Sequence, residues 1–339
     1  MTAVPDPPGR SEGRQGASSV LVVGSLQPHA GKTALAASIA VTLAYTGARL
    51  LALRLAGTDD SVAADADAAF FRTLPFARGR GGTPVSPEQA AAAAHEQAQT
   101  GGILVLEAAH GAELPEIAQP FDAGVILAVR AADVAVTKGL ADLAQQLGPR
   151  LLGVVAMAVP RALLAQAHDA LAPGPVPVLG VVPEDATLYA PSVLEIAEAL
   201  DAEVVLGEPE PGQIIEHLMI GPITTDPGQP YYARPHSRRA VITRSDKTDL
   251  QLAAMHSDIS CLILTGGLDP SPYTIDRAAD GEITVLLTKL DTPGAVNRLE
   301  DIFLTTRFEG EQKLERMRTL LDEYLDWDPI RQKLPVAAR

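Results

Sequence analysis

The chain has 339 residues, enough for two domains with real cores, and only 4% are aromatic, so Ala, Leu, Val and Ile must fill those cores. A formal net charge of −15 argues against nucleic acid or an anionic membrane surface as a general partner, since both attract basic patches. One cysteine, Cys261, rules out an intrachain disulfide and argues against a Cys-based metal site. With no apolar N-terminal core and no uncharged apolar run of roughly 18 residues, the sequence reads as soluble and cytoplasmic.

Residues 1–18 are rich in Pro, Gly and Ser and are expected to form a disordered tail. A strand is expected at 19–25, then a turn-rich stretch, then Gly31-Lys32-Thr33 opening an Ala-rich helix at 32–46. Strand, loop and helix in this order are the layout of a phosphate-binding P-loop. The helix N-terminus attracts anions, and Gly31 lets the backbone come close to them. Lys32 supplies a point charge to the outer phosphates, and the Thr33 hydroxyl is placed to ligate Mg²⁺. The phosphate-binding stretch is His29, Ala30, Gly31, Lys32 and Thr33. The standard spacing wants glycine at position 26, where this chain has Leu26, so binding is better supported than turnover.

A second strand is expected at 49–56, followed by a segment crowded with Asp59, Asp60, Asp65 and Asp67. This is either a solvated acidic loop or the source of one carboxylate for Mg²⁺. The loop at 78–86 carries arginines expected to face water. Ser86-Pro87-Glu88-Gln89 then reads as a capped helix start. The run ILVL at 103–106 is a buried strand with Glu107 at its C-terminal end, the end where ligands bind in parallel sheets. Glu107 is either a second anchor for Mg²⁺ or its waters, or a cap for the next turn. Strands at 123–130, 150–160 and 177–185, with a helix at 133–147, complete a parallel sheet covered on both faces.

Pro, Gly and Glu cluster at 207–213, where a domain boundary is expected, giving domains of 19–206 and 214–326 and a tail at 327–339. The second domain reads as three βα units with strands at 238–244, 260–267 and 283–289. Their strand ends bring Arg244, Asp246, Thr248, Asp249, Thr265, Gly266 and Gly267, with Asp291 and Thr292, to one edge. Helix caps account for many of them; a second ligand site or a dimer surface is the sharper reading.

These motifs resemble dethiobiotin-synthetase-like proteins of the kind that form the N-terminal half of long phosphotransacetylases, in which a P-loop domain is joined to a DRTGG domain. The resemblance rests on SLQPHAGKT, DADAAFF, LVLEAAHG and AVITRSDKTDLQLAA with SCLILTGGLDPSP, and covers roughly residues 19–326. It implies a fold of α/β class, a parallel-sheet P-loop NTPase-like domain followed by a smaller three-layer α/β DRTGG domain. It singles out Asp67, beside Thr33 and Glu107, as the Mg²⁺ carboxylate. Of the eponymous residues, Asp246, Thr265, Gly266 and Gly267 are present, while Lys247 replaces the arginine. Arg54 stands where the synthetase relatives have a Lys-Pro pair that handles substrate, and Arg is not a safe stand-in for Lys. Met157 stands where relatives carry an Asn that reads the base, and a thioether cannot make that amide's hydrogen bonds.

The expected function is therefore a nucleotide-binding regulatory protein. Its P-loop domain answers to ATP or a related nucleotide with Mg²⁺, and its DRTGG domain dimerises or senses a second ligand. The alternatives are an ATP-dependent synthetase, or a non-enzymatic partner protein with a degenerate P-loop. Relatives of both domains associate, which implies a homodimer, and a protein partner is open under the last reading. Acetyl transfer is not expected of this stretch alone.

Overall fold

In the first half of the chain, apolar runs of five to nine residues alternate with helices, the arrangement that gives parallel strands buried on both faces. The structure, a computed structural model, describes residues 18–57, 62–108, 113–130, 136–210, 212–221 and 238–335, with 62–64, 136–138 and 304 described in backbone only. The expected N-terminal tail, except Ser18, and Asp59 and Asp60 lie outside the described residues. The chain divides into two compact units, one running to residue 183 and resuming at 320, the other spanning 184–319.

The first unit contains β1 (Val20–Ser25), α1 (Lys32–Ala44), β2 (Leu50–Arg54), α2 (Val62–Thr73), α3 (Pro87–Thr100), β3 (Ile103–Glu107), α4 (Leu114–Ala118), β4 (Gly124–Arg130), α5 (Val136–Leu147), β5 (Leu151–Val159), α6 (Leu164–Leu171) and β6 (Val178–Pro183). The strands form one parallel sheet in the order β2-β3-β1-β4-β5-β6. Chain direction across the sheet reverses about β1, so the loop after β1 opens at the switch point where α/β sheets bind ligands. On one face Val20, Val22, Leu51, Leu53, Leu104 and Leu106 pack with Ala90, Ala93 and Ala94 of α3. The alternate residues Leu21, Val23, Ile103 and Val105 are equally buried. Ser86 and Gln89 form the expected capping box at the start of α3, an arrangement that contributes about 1 kcal/mol. The crowded acidic segment is not a loop: its described part is α2, with Asp65 in the first turn and exposed.

The second unit holds α7 (Ala186–Tyr189), α8 (Val193–Ala199), β7 (Glu203–Leu206), β8 (His217–Ile220), β9 (Arg239–Arg244), α9 (Thr248–Ala254), β10 (Cys261–Thr265), α10 (Pro272–Asp280), β11 (Thr284–Leu287), α11 (Thr292–Glu300) and α12 (Ile302–Thr305). Its sheet order is β7-β11-β10-β9-β8, parallel except for β7. Ala240, Ile242, Ile263 and Leu286 pack on one face with Val193, Ile196, Ala295 and Leu299 of α8 and α11. Val241, Leu262, Leu264 and Val285 pack on the other with Ala254 and Ala278 of α9 and α10. This is the expected three-layer arrangement, with Cys261 fully buried in it.

Three expectations are corrected. The division falls at 183/184, not at 207–213, because α8 and β7 pack into the second sheet and its core. Among the described residues the second unit has five strands rather than three, since EVVL and HLMI also pair. The segment 327–339 is not merely a tail. After α13 (Glu311–Tyr324) comes α14 (Asp328–Lys333), and Trp327, Ile330 and Leu334 are all buried, a helical spacing that presents one apolar face.

Candidate functional site at the first strand switch

Five polar side chains from four elements converge at the C-terminal end of the first sheet. Ser25 ends β1, Lys32 and Thr33 open α1, Arg54 ends β2, and Glu107 ends β3. Asp67 joins them from α2. Arg54 and Glu107 are register partners, and Glu107 in turn pairs with Val23 of β1, so the sheet itself sets their spacing.

Gly31 caps α1 with φ 83° and ψ 24°, the left-handed region that glycine enters without strain. A Cβ there would lie 3.0 Å from Met157 Cε, so the close approach of Met157 from β5 demands glycine as well. His29, exposed at the loop tip, is also left-handed, at φ 51°. Ala30 is buried. Leu26, where the standard loop has glycine, meets Gly139 of α5: a Cβ at Gly139 would be 3.2 Å from Leu26 Cδ1.

Lys32 donates from Nζ to Ser25 Oγ at 3.2 Å, and Ser25 Oγ donates to the Gln27 carbonyl at 2.7 Å. The Thr33 hydroxyl donates to Glu107 Oε1 at 3.1 Å. Arg54 Nε lies 3.5 Å from Glu107 Oε1 and 4.0 Å from Asp67 Oδ2. Glu107 is 1% exposed and Arg54 8%. Among the described residues, two buried atoms in this cluster have no hydrogen-bond partner, Arg54 Nε and Glu107 Oε2.

The electrostatics follow from burial. Burial, then the Asp67 charge, push the Glu107 carboxyl up to about 7, against the pull of Arg54 and Lys32. Burial also raises Asp67, opposed by Arg54, Thr33, Lys32 and His29. Burial holds the Lys32 ammonium below its ordinary range, with Arg54 adding to that and Glu107 and Asp67 opposing it. The cluster is a place where charge is expensive, and where an added ligand with its own charge changes the balance strongly.

Of the residues expected to matter here, Lys32, Thr33, Asp67 and Glu107 are brought together. Arg80 of the loop at 78–86 forms a fork with Glu96 at 2.8 and 2.6 Å, away from the cluster. Ser25 is a member that the sequence did not point to, and Arg54, which the resemblance set at the Lys-Pro position, was not expected beside Glu107 and Asp67. The signal for Arg54 was its position at the end of an apolar strand beside the Glu107 strand.

In the second unit the strand ends share one edge as expected, with Thr265 paired in register with Arg244. There the side chains bond mostly to one another. Arg244 holds exposed Asp246 in a fork at 2.8 and 2.6 Å, and the Thr265 and Thr292 hydroxyls meet at 2.8 Å. Asp291 caps α11 through Gly294 N. Gly266 and Gly267, at φ 95° and 69°, send their N–H groups to the Leu290 and Thr288 carbonyls. Thr248 is half-buried and Asp249 exposed in the first turn of α9. Buried Gln251, unforeseen from sequence, ties the edge together, donating to the Arg244 and Ser245 carbonyls and accepting from Thr274.

The molecule is thus an α/β protein with a phosphate-loop-like strand–loop–helix in one unit and a second, smaller α/β unit beside it in sequence. Residues 195–302 match the DRTGG domain, within the second unit. The chain is similar to phosphate acetyltransferases of Nitratidesulfovibrio vulgaris, at 24% identity over 165 residues (45% of this chain and 23% of that protein), and Deinococcus radiodurans, at 27% over 206 residues (58% and 28%). The matched stretch spans about a quarter of the length of those relatives. Among solved structures it is similar to the CBS and DRTGG domains of the regulatory region of Clostridium perfringens pyrophosphatase, complexed with the activator diadenosine tetraphosphate. That likeness has TM-score 0.29 and 17% identity over 50% of this chain and 86% of that one. It is also similar to the MinC:MinD cell division protein complex of Aquifex aeolicus, with TM-score 0.39 and 18% identity over 50% of this chain and 84% of that one. Among the described residues no helix is long and apolar enough to cross a membrane.

Proposed function

We propose that this protein is a nucleotide-binding regulator, in which the loop after β1 takes the phosphates of a nucleotide with Mg²⁺ and the DRTGG unit carries the regulatory partner or ligand. The observation that carries the reading is the convergence of Lys32, Thr33, Asp67 and Glu107 on the left-handed Gly31 turn. A helix N-terminus with a buried lysine suits phosphate oxygens.

The oxygen donors suit magnesium. Thr33 offers a hydroxyl, Asp67 and Glu107 offer carboxylates, and Glu107 Oε2 is a buried acceptor with nothing to accept. No three His, Cys, Asp or Glu side chains gather to hold a metal among the described residues. That fits an ion which keeps waters and shares itself with phosphate rather than one caged by protein. When bound, such an ion neutralises phosphate charge. In this reading Lys32 leaves Ser25 for the outer phosphates, while Ala30 and Gly31 present backbone N–H groups. Met157, 6% exposed and packed on Gly31, offers no polar group to a base, so recognition rests on phosphate more than on base identity.

The test is thermal unfolding of wild type and Lys32→Ala with Mg²⁺ and each of ATP, ADP, GTP and AMP. A ligand at 100 times its Kd stabilises the native state by about 2.7 kcal/mol. A midpoint shift in wild type, lost in Lys32→Ala, supports the reading; no shift with any nucleotide sinks it. DRTGG-linked homodimerisation is checked on the same samples by sedimentation, with and without nucleotide.

A further inference from the structure

Arg54 is paired unlike three more exposed arginines of the chain, Arg244, Arg80 and Arg316. Arg244 with Asp246 and Arg80 with Glu96 make two-oxygen forks at 2.6–2.8 Å, the pairing that suits a planar guanidinium, and Arg316 sets both Nε and Nη2 on Asp185 Oδ2 at 2.8 and 2.6 Å. Arg54 is more buried than any of these three, which should make good geometry more necessary. Yet its Nε stands 3.5 Å from Glu107 Oε1 and 4.0 Å from Asp67 Oδ2 and bonds to neither, while Nη1 is spent on the Leu55 carbonyl at 2.8 Å. A donor on Arg54 and an acceptor on Glu107 are left open within one cluster.

A buried charge set that is neutralised but not bonded is arranged for a change of partner. Without Arg54, buried Glu107 and half-buried Asp67 would share the site with only Lys32 and the more distant His29 to offset them. With Arg54 in place they are tolerable, but a divalent cation entering between them meets a resident positive charge.

We propose that Arg54 is the resident counter-ion of the Asp67–Glu107 pair, standing in for the divalent cation and setting the site to accept that cation only together with a phosphate-bearing ligand. The phosphate supplies what a bare cation does not, anionic oxygens to which the guanidinium can turn. Arg54 is thus a positioning residue that decides when metal binds. The inference rests on the reading of Thr33, Asp67 and Glu107 as the cation's ligands.

The test is Mn²⁺ alone, titrated into the full chain as wild type, Arg54→Met and Arg54→Lys, with free Mn²⁺ read by electron paramagnetic resonance and folding read by circular dichroism. Arg54→Met is expected to bind Mn²⁺ at least tenfold more tightly than wild type and to gain a Mn²⁺-dependent rise in unfolding midpoint. Arg54→Lys, which keeps the charge, should bind as weakly as wild type. If Arg54→Met folds only when Mn²⁺ is present, that too supports the proposal; if it folds under neither condition, Arg54→Gln takes its place with the same expected gain. Equal or weaker Mn²⁺ binding by a folded neutral variant overturns it, as does tight binding by Arg54→Lys. A repeat with ADP separates the two readings. Wild type that binds Mn²⁺ with ADP, while the neutral variants gain nothing with Mn²⁺ alone, removes only the role of Arg54. No Mn²⁺ binding in any protein with or without ADP removes the cation site as well.

Discussion

The Thr33 hydroxyl donates to Glu107 Oε1 at 3.1 Å across 74 positions of sequence, tying the first turn of α1 to the end of β3. The carboxylate is buried and its other oxygen is already without a donor. Thr33→Val, which keeps the shape and removes the hydroxyl, is expected to cost about 1–3 kcal/mol of stability in denaturant unfolding. Thr33→Ser should retain most of it. The same pair should order nucleotide binding, with Ser close to wild type and Val weak. Equal stability of the two variants would remove the bond's structural importance.

Gly31 is constrained twice, by its left-handed backbone and by Met157. Gly31→Ala is expected to lose about 1–2 kcal/mol, combining the backbone penalty with the crowding. Adding Met157→Ala should relieve only the crowding and leave the phosphate affinity impaired. Full recovery in the double variant would show that the φ angle matters little.

Gly212 and Gly310 lie back to back in the second unit. A Cβ on Gly212 would come within 2.5 Å of Gly310 Cα, and one on Gly310 within 2.6 Å of Gly212 Cα; both residues are left-handed. Alanine at either position is expected to cost at least about 2 kcal/mol, and the double variant should cost less than the sum, since both disturb one contact. Chemical denaturation of the three variants measures this directly.

Lys313 is 0% exposed and donates to Thr306 Oγ1 at 2.9 Å and the Arg307 carbonyl at 2.5 Å. Burial holds its ammonium down to about 8 from an ordinary 10.5, despite the nearby Glu195 and Glu309 charges. Between those values the unfolded chain keeps a proton that the folded chain has released, so this lysine makes stability rise with pH. The stability of wild type minus that of Lys313→Met should therefore grow from about pH 8 to 10.5. Cys261, whose thiol burial pushes up to about 12, acts in the opposite sense above pH 9 but equally in both proteins. A difference that stays flat across the range would contradict the assignment.

Much of the first unit is legible in the sequence itself. The parallel strands of the first unit announce themselves because strands buried on both faces are uninterrupted apolar runs, as LVV and ILVL are. Glu107 was legible from its place at a strand end. The pairing of Arg54 with Glu107 and Asp67 was not, because it depends on the register that sets the end of β2 beside the end of β3. The Gly/Pro-rich stretch at 207–213 resembles a linker in composition, yet Gly212 is there for a close backbone contact inside the second unit. EVVL and HLMI are only four residues each, too short for alternation to declare them strands.

The return of the chain to the first unit has a consequence for assembly. Leu325 bridges Gly180 on the outermost strand β6, Asp326 N donates to the Leu179 carbonyl at 2.7 Å, and Gly180 must be glycine because the Tyr324 carbonyl oxygen would lie 2.4 Å from a Cβ. At the opposite margin, Val85 pairs alongside the end of β2, exchanging bonds with Arg54 and Ala56. Each rim of this sheet thus carries one isolated backbone bridge supplied by the chain itself, at Gly180 of β6 and at Leu55 just past β2, where edge hydrogen-bonding groups are already paired. At these two points a strand from another copy would first have to displace the chain's own backbone.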